Sequence, residues 1–125
     1  PYTSASSGCT LDFYVLSASS TSATSWTVEW ASTGNTAGTT ASFEDSGVVG
    51  IALDTNLVYA VAWSHNSCDT YAAWAATSGE TATDLGSIYG YLYGVSTSTF
   101  SEGDAVTAKA YEDEPWYMQI EGTDL

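Results

Sequence analysis

Large apolar side chains recur on every second residue in several short runs, and this period of two is what most restricts the fold. In Ser25-Trp26-Thr27-Val28-Glu29-Trp30-Ala31 the alternation places Trp26, Val28 and Trp30 on one face, with Thr27 and Glu29 on the other. Residues 57–64 repeat the habit, with Leu57, Tyr59, Val61 and Trp63 sharing one face and small side chains the other. Residues 11–16 are rich in β-formers, and residues 48–53 are a short apolar run that reads as a strand buried on both faces or nearly so.

The second half continues in the same way. Residues 69–76 carry Tyr71 and Trp74, which fall on opposite faces of a regular strand and suggest a bulge, with a helix as the alternative because of the alanines. Residues 88–95 place Tyr89, Tyr91 and Tyr93 on one side and Ile88, Gly90, Leu92 and Gly94 on the other. Residues 106–111 and 116–120 close the chain as two further strands. Turn residues punctuate these runs: Gly34 with Asn35, Asp54-Thr55-Asn56, Ser64 to Asn66, Ser78-Gly79, Gly103-Asp104 and Glu112 to Pro115. Helical periodicity is weak throughout. The expectation is an all-β fold, a single antiparallel β-sandwich of jelly-roll or Ig-like type with about eight or nine strands. With 125 residues, 44% of them hydrophobic, the chain suits one domain with one core. It divides into an extended N-terminal segment at residues 1–10 and the sandwich domain at residues 11–125.

Charge narrows the partners. Fifteen acidic residues stand against one lysine, Lys109, and no arginine, for a net charge of −14. Nucleic acid is excluded as a partner, because phosphate contacts need several Lys or Arg side chains. Anionic membranes are disfavoured for the same reason, and no apolar run is long enough to cross a bilayer, so membrane insertion is not expected. Solubility falls instead to hydroxyls, since Ser and Thr make up about 29% of the chain, well above ordinary usage. The hydroxyl-rich runs at residues 17–25, 32–42 and 96–101 are candidate O-glycan carriers.

Cys9 and Cys68 are the only thiols, and His65 is the only histidine. Three ligands fall short of the closed set of four that structural zinc needs. One disulfide is the simpler reading; closing a loop of roughly 59 residues, it contributes about 4 kcal/mol. A disulfide in turn implies an oxidising compartment, hence an extracellular or cell-surface location.

No catalytic constellation stands out, and the chain reads as a non-enzyme. It has no G-x-S-x-G elbow, no H-E-x-x-H and no phosphate-binding glycine loop. Asp12 with Glu29 is the carboxylate pair a glycosidase would need, in a domain small for such a cleft. No organic cofactor is implied. Asp104, Glu112, Asp113 and Glu114 are calcium candidates without an EF-hand spacing. Lys109, set among small residues in a strand-like run, reads as an outward lysine that discourages edge pairing. A sharper alternative is an intramolecular isopeptide bond with Asp12 or Glu29 as partner or proton carrier.

Five Trp and nine Tyr are many for a small core. The set Trp74, Tyr89, Tyr91 and Tyr93 can be read as core, as a protein interface, or as a flat platform for sugar rings. The chain's small, polar start, Pro1-Tyr2-Thr3-Ser4-Ala5-Ser6-Ser7, its hydroxyl-rich loops, the alternation at residues 26–30 and the scarcity of Lys and Arg resemble the donor-strand and glycosylated filament subunits of microbial surfaces. That resemblance implies an extracellular structural subunit polymerising with copies of itself, with Pro1, Tyr2, Thr3, Ser4 and Ala5 as the donor segment and glycans attached. The alternative is a carbohydrate-binding module built on the tyrosine stripe.

Overall fold

A computed structural model describes residues 2–4, 10–36, 42–43, 45–66, 69–71, 81–83, 86–88, 91–93, 99–107 and 110–112. These residues form β-strands and no helix. In chain order the strands are β1 (Tyr2–Ser4), β2 (Thr10–Ala18), β3 (Ser25–Thr36), β4 (Ser42–Phe43), β5 (Val58–Asn66) and β6 (Asp69–Tyr71). There follow β7 (Thr81–Thr83), β8 (Gly86–Ile88), β9 (Tyr91–Tyr93), β10 (Ala105–Thr107) and β11 (Ala110–Glu112). The all-β expectation holds, as a curled antiparallel sheet of four strands in the order β10-β3-β2-β5. Three smaller pairings accompany it: β4-β1-β6, β11-β9 and β7-β8.

β2 is the centre of the main sheet because its residues are apolar on both faces. Leu11 and Phe13 point one way, where half-buried Trp30 and Trp63 pack on them. Tyr14, Leu16 and Ala18 point the other way and join Trp26 and Val28, with Ala31, Ala60, Ala62, Phe100 and Val106 around them. Leu11 and Val28 are the largest fully buried side chains among the described residues. A sandwich strand normally shows one face to solvent; β2 instead buries both.

Two β-bulges set this arrangement. Leu16 pairs with Val28 while Val15 pairs with Trp30, so Glu29 is an extra residue on β3. The bulge reverses the alternation beyond it. Trp26 and Val28 therefore stay with the Tyr14–Leu16 cluster, whereas Trp30 crosses to Leu11 and Phe13 and Ala31 takes its place. The strict alternation of Trp26, Val28 and Trp30 on one face is thus corrected: Trp30 lies on the opposite face.

The second bulge lies between the pairs Leu11–Asn35 and Phe13–Ser32. Gly34 there has φ +72, a left-handed conformation that glycine adopts without a Cβ penalty. Its N–H donates to Asp12 Oδ1 at 2.7 Å. The Asn35 side-chain amide donates to the carbonyls of Leu11 at 3.1 Å and Ser32 at 2.9 Å. Gly34 and Asn35 read as a turn from sequence; they form a bulge inside one twelve-residue strand.

The turn between β2 and β3 is closed by Ala23 N–H on the Ser20 carbonyl at 3.2 Å, and the Trp26 indole N–H donates to the Ala23 carbonyl at 2.9 Å. Ahead of β10, Asp104 Oδ2 accepts the Ser101 N–H at 2.8 Å. Gly103 N–H then donates to the Val28 carbonyl at 2.8 Å, and Val28 N–H to the Asp104 carbonyl at 2.9 Å. This turn docks β10 onto β3.

The sequence pattern at residues 88–95 is a single strand; the described residues carry two. Ile88 ends β8, which pairs with β7, while Tyr91 and Tyr93 sit on β9, which pairs with β11. The run at residues 116–120 lies outside the described residues, as do residues 72–76.

Candidate functional site

The feature most in conflict with its composition is the run at residues 48–53. Expected as a buried strand, it is neither paired nor buried: Val48 is 94% exposed, Val49 and Leu53 are exposed, and Ile51 is half-buried. Every exposed large hydrophobic among the described residues lies within residues 48–61, Val61 on β5 being the fourth. Apolar side chains alone do not bury a segment; another element must cover it. No described strand pairs with this one.

Both ends of the run are held. Asp45 Oδ1 accepts the Gly47 N–H at 2.7 Å, and Gly47 has φ +76. At the other end Asp54 Oδ1 accepts the Asn56 backbone N–H and the Asn56 side-chain amide, both at 2.8 Å. Those two bonds, the backbone one foremost, hold the Asp54 carboxyl below its ordinary value. Leu57 N–H closes the turn on the Asp54 carbonyl at 3.0 Å, and Asp54 N–H donates to the Tyr59 hydroxyl oxygen at 2.8 Å. Between these anchors residues 48–53 run without turn or bend, and their backbone groups bond to nothing else in the described residues. They carry no charge, and neither do residues 57–64.

β5 follows directly and is an edge strand of the main sheet among the described residues. Val58, Ala60 and Ala62 face the core beside Tyr14 and Leu16 yet stay only half-buried, whereas β2 is buried from Phe13 to Ala18. Cover thus thins across the sheet from β2 to β5.

The residues singled out from sequence are distributed otherwise. Tyr2, Thr3 and Ser4 of the expected donor segment form β1, which lies between β4 and β6 and pairs antiparallel with both. Tyr2 stands opposite Phe43 on one side and Tyr71 on the other. Pro1 and Ala5 lie outside the described residues, as do Cys9, Cys68, Trp74, Tyr89, Lys109, Asp113 and Glu114. Tyr91 and Tyr93 stand opposite Glu112 and Ala110 in register.

Asp12 and Glu29 occupy the two bulges and are engaged there. Asp12 takes the Gly34 N–H on Oδ1 and the hydroxyls of Tyr14 and Thr99, each at 3.2 Å, on Oδ2. Glu29 Oε1 accepts the hydroxyl of buried Ser17 at 2.5 Å. Asp104 belongs to the turn on β3, whereas Glu112 belongs to the β11-β9 pair. Among the described residues no group of three or more His, Cys, Asp or Glu is placed to hold a metal ion. His65 is exposed near the end of β5, opposite Leu11 in register. Of the first hydroxyl run, Ser17 is buried, while Ser19, Ser20, Ser22 and Thr24 are exposed.

No protein-family model, curated protein or solved structure matches this chain. No helix among the described residues is long and apolar enough to cross a membrane.

Residues 48–53 are what sequence reasoning missed. The available signal was their framing: an uncharged run between two Asp-anchored turns, Asp45 to Gly47 and Asp54 to Asn56, with no polar alternation to mark a solvent face.

Proposed function

We propose that this chain is a structural subunit of an extracellular filament or surface assembly, built from copies of itself by strand addition. The observation that carries this reading is the concentration of exposed large hydrophobics within residues 48–61, on a chain of net charge −14. An apolar strip that the subunit itself leaves uncovered marks an association surface. On so acidic a chain, copies can approach most closely where charge is sparse, and between Val48 and Val61 Asp54 is the one charged residue. In this reading the strands complete a single antiparallel sandwich of jelly-roll or Ig-like type, closed by the Cys9–Cys68 disulfide. O-glycans sit on exposed hydroxyls such as Ser19, Ser20 and Ser22.

The test is negative-stain microscopy of the native material alongside size-exclusion chromatography of the recombinant chain. Regular fibres or higher oligomers support the subunit reading. A monodisperse monomer that binds a polysaccharide and loses it in Tyr91→Ala overturns it in favour of a carbohydrate-binding module.

A further inference from the structure

We infer that residues 48–53 are a donor strand that adds to the β5 edge of a second copy of this chain, alongside its Val58, Ala60 and Ala62. The inference rests on the assembly reading above and specifies its contact.

The donor side has the properties that strand addition needs. Six consecutive residues offer backbone N–H and C=O groups that nothing in the described residues occupies. The run has no turn, no bend and no proline, and it spans roughly 20 Å when extended. In extended form it puts Val49, Ile51 and Leu53 on one face and Val48, Gly50 and Ala52 on the other. Local turns at Asp45–Gly47 and Asp54–Asn56 bound the run at its two ends.

The acceptor side lies on the same molecule. β5 is an edge of the main sheet among the described residues, and edges are templates for another chain. Val58, Ala60 and Ala62 bring small side chains to a core face that is only half covered there. The large side chains of Val49, Ile51 and Leu53 would extend that face by one strand.

Charge selects the occupant. Residues 48–53 and 57–64 are both free of charge, with Asp54 the one charged residue between them, so two copies of a −14 chain meet few opposing carboxylates here. A basic partner would find Asp54 as the one carboxylate between the two strips, and an anionic membrane would be repelled by the chain as a whole.

The experiment compares the 125-residue chain with Val49→Asp, with Gly50→Pro and with a deletion of residues 1–10, using sedimentation velocity over a concentration series. Val49→Asp puts a charge into the pairing strip, and Gly50→Pro removes a backbone donor at a site where an added Cβ meets open space. Each is expected to raise the concentration for half-assembly by roughly tenfold or more, with the subunit's melting temperature unchanged. Assembly unaffected by both substitutions overturns the inference. If assembly survives both substitutions but vanishes, with the melting temperature unchanged, when residues 1–10 are removed, the N-terminal segment is the donor and the subunit reading stands without this contact. A wild-type chain that stays monomeric at every concentration sinks both readings. A wild-type monomer that floats with phosphatidylcholine vesicles, and no longer does so in Val49→Asp, assigns the strip to a lipid surface and overturns the inference.

Discussion

The ring of Phe100 stands edge-on to that of Tyr14, with centroids 5.8 Å apart and planes at 75°. Phe100 also donates its backbone N–H to the Tyr14 hydroxyl oxygen at 3.4 Å, and that hydroxyl in turn donates to Asp12. This pair fastens the segment before β10 to the centre of the main sheet, 86 residues away in the chain. Replacing Phe100 with Ala removes the ring contact and uncovers part of the Tyr14 face. A loss of about 2 kcal/mol is expected in urea unfolding, below the range for a fully buried Phe because Phe100 is half-buried. Phe100→Leu should recover part of that loss.

Glu29 and Ser17 make an unequal pair. Ser17 is buried and Glu29 is exposed, so the two deletions leave different remnants. Glu29→Ala strands a buried hydroxyl and should cost about 1–3 kcal/mol, while Ser17→Ala returns a carboxylate to water and should cost about 1 kcal/mol. A double-mutant cycle measured by chemical denaturation checks the order; equal losses would place the hydroxyl in contact with water.

At the second bulge, backbone conformation decides rather than space. An added Cβ at Gly34 meets nothing within 4 Å, yet φ is +72. Gly34→Ala is therefore expected to destabilise by about 1 kcal/mol. Gly34→Asn should cost less, because Asn tolerates the left-handed region. Thermal melts of the two variants test the ranking.

The Asp54 turn carries a pH signature. Bonds from Asn56 lower the folded carboxyl below its ordinary value of 3.8. Its contribution is fully present above that ordinary value and disappears as pH falls through the lower folded one. An NMR titration of the Asp54 side chain should show a depressed midpoint, and Asn56→Ala should raise it towards the ordinary value. A midpoint insensitive to Asn56→Ala would remove these bonds as the cause.

Val28 and Val48 are the same residue type with opposite expectations. Val28 is 1% exposed, and Val28→Ala should cost about 2 kcal/mol by cavity formation. Val48→Ala should stay within about 0.5 kcal/mol, as an exposed substitution without contacts does. Equilibrium unfolding of the two variants separates them directly.

Period-two alternation at residues 25–31 and 57–64 made β3 and β5 legible, and the β-formers at residues 11–16 marked β2. Their faces were legible only up to the first bulge. Glu29 shifts Trp30 to the other cluster, and nothing local announces it, because Glu29 alternates as a solvent residue should. Gly34 was visible as a glycine needing special backbone, but turns and bulges use that conformation alike. The donor-segment reading at Tyr2, Thr3 and Ser4 identified an extended stretch and could not say which strands it meets. That depends on β4 and β6, whose positions are set by long-range pairing.

By itself the sequence determined that the chain forms strands, that it carries almost no cationic groups, and that residues 48–53 are apolar and uncharged. Side-chain chemistry and period are local properties, so a single chain read in order reveals them. Only the tertiary structure decided that β2 is buried on both faces, that Trp30 and Val28 part company, and that residues 48–53 stand exposed. Burial is a property of what lies opposite, and register is fixed by pairing between strands distant in the chain. The same apolar pattern that would make a core strand stands exposed here, where no described strand pairs with it.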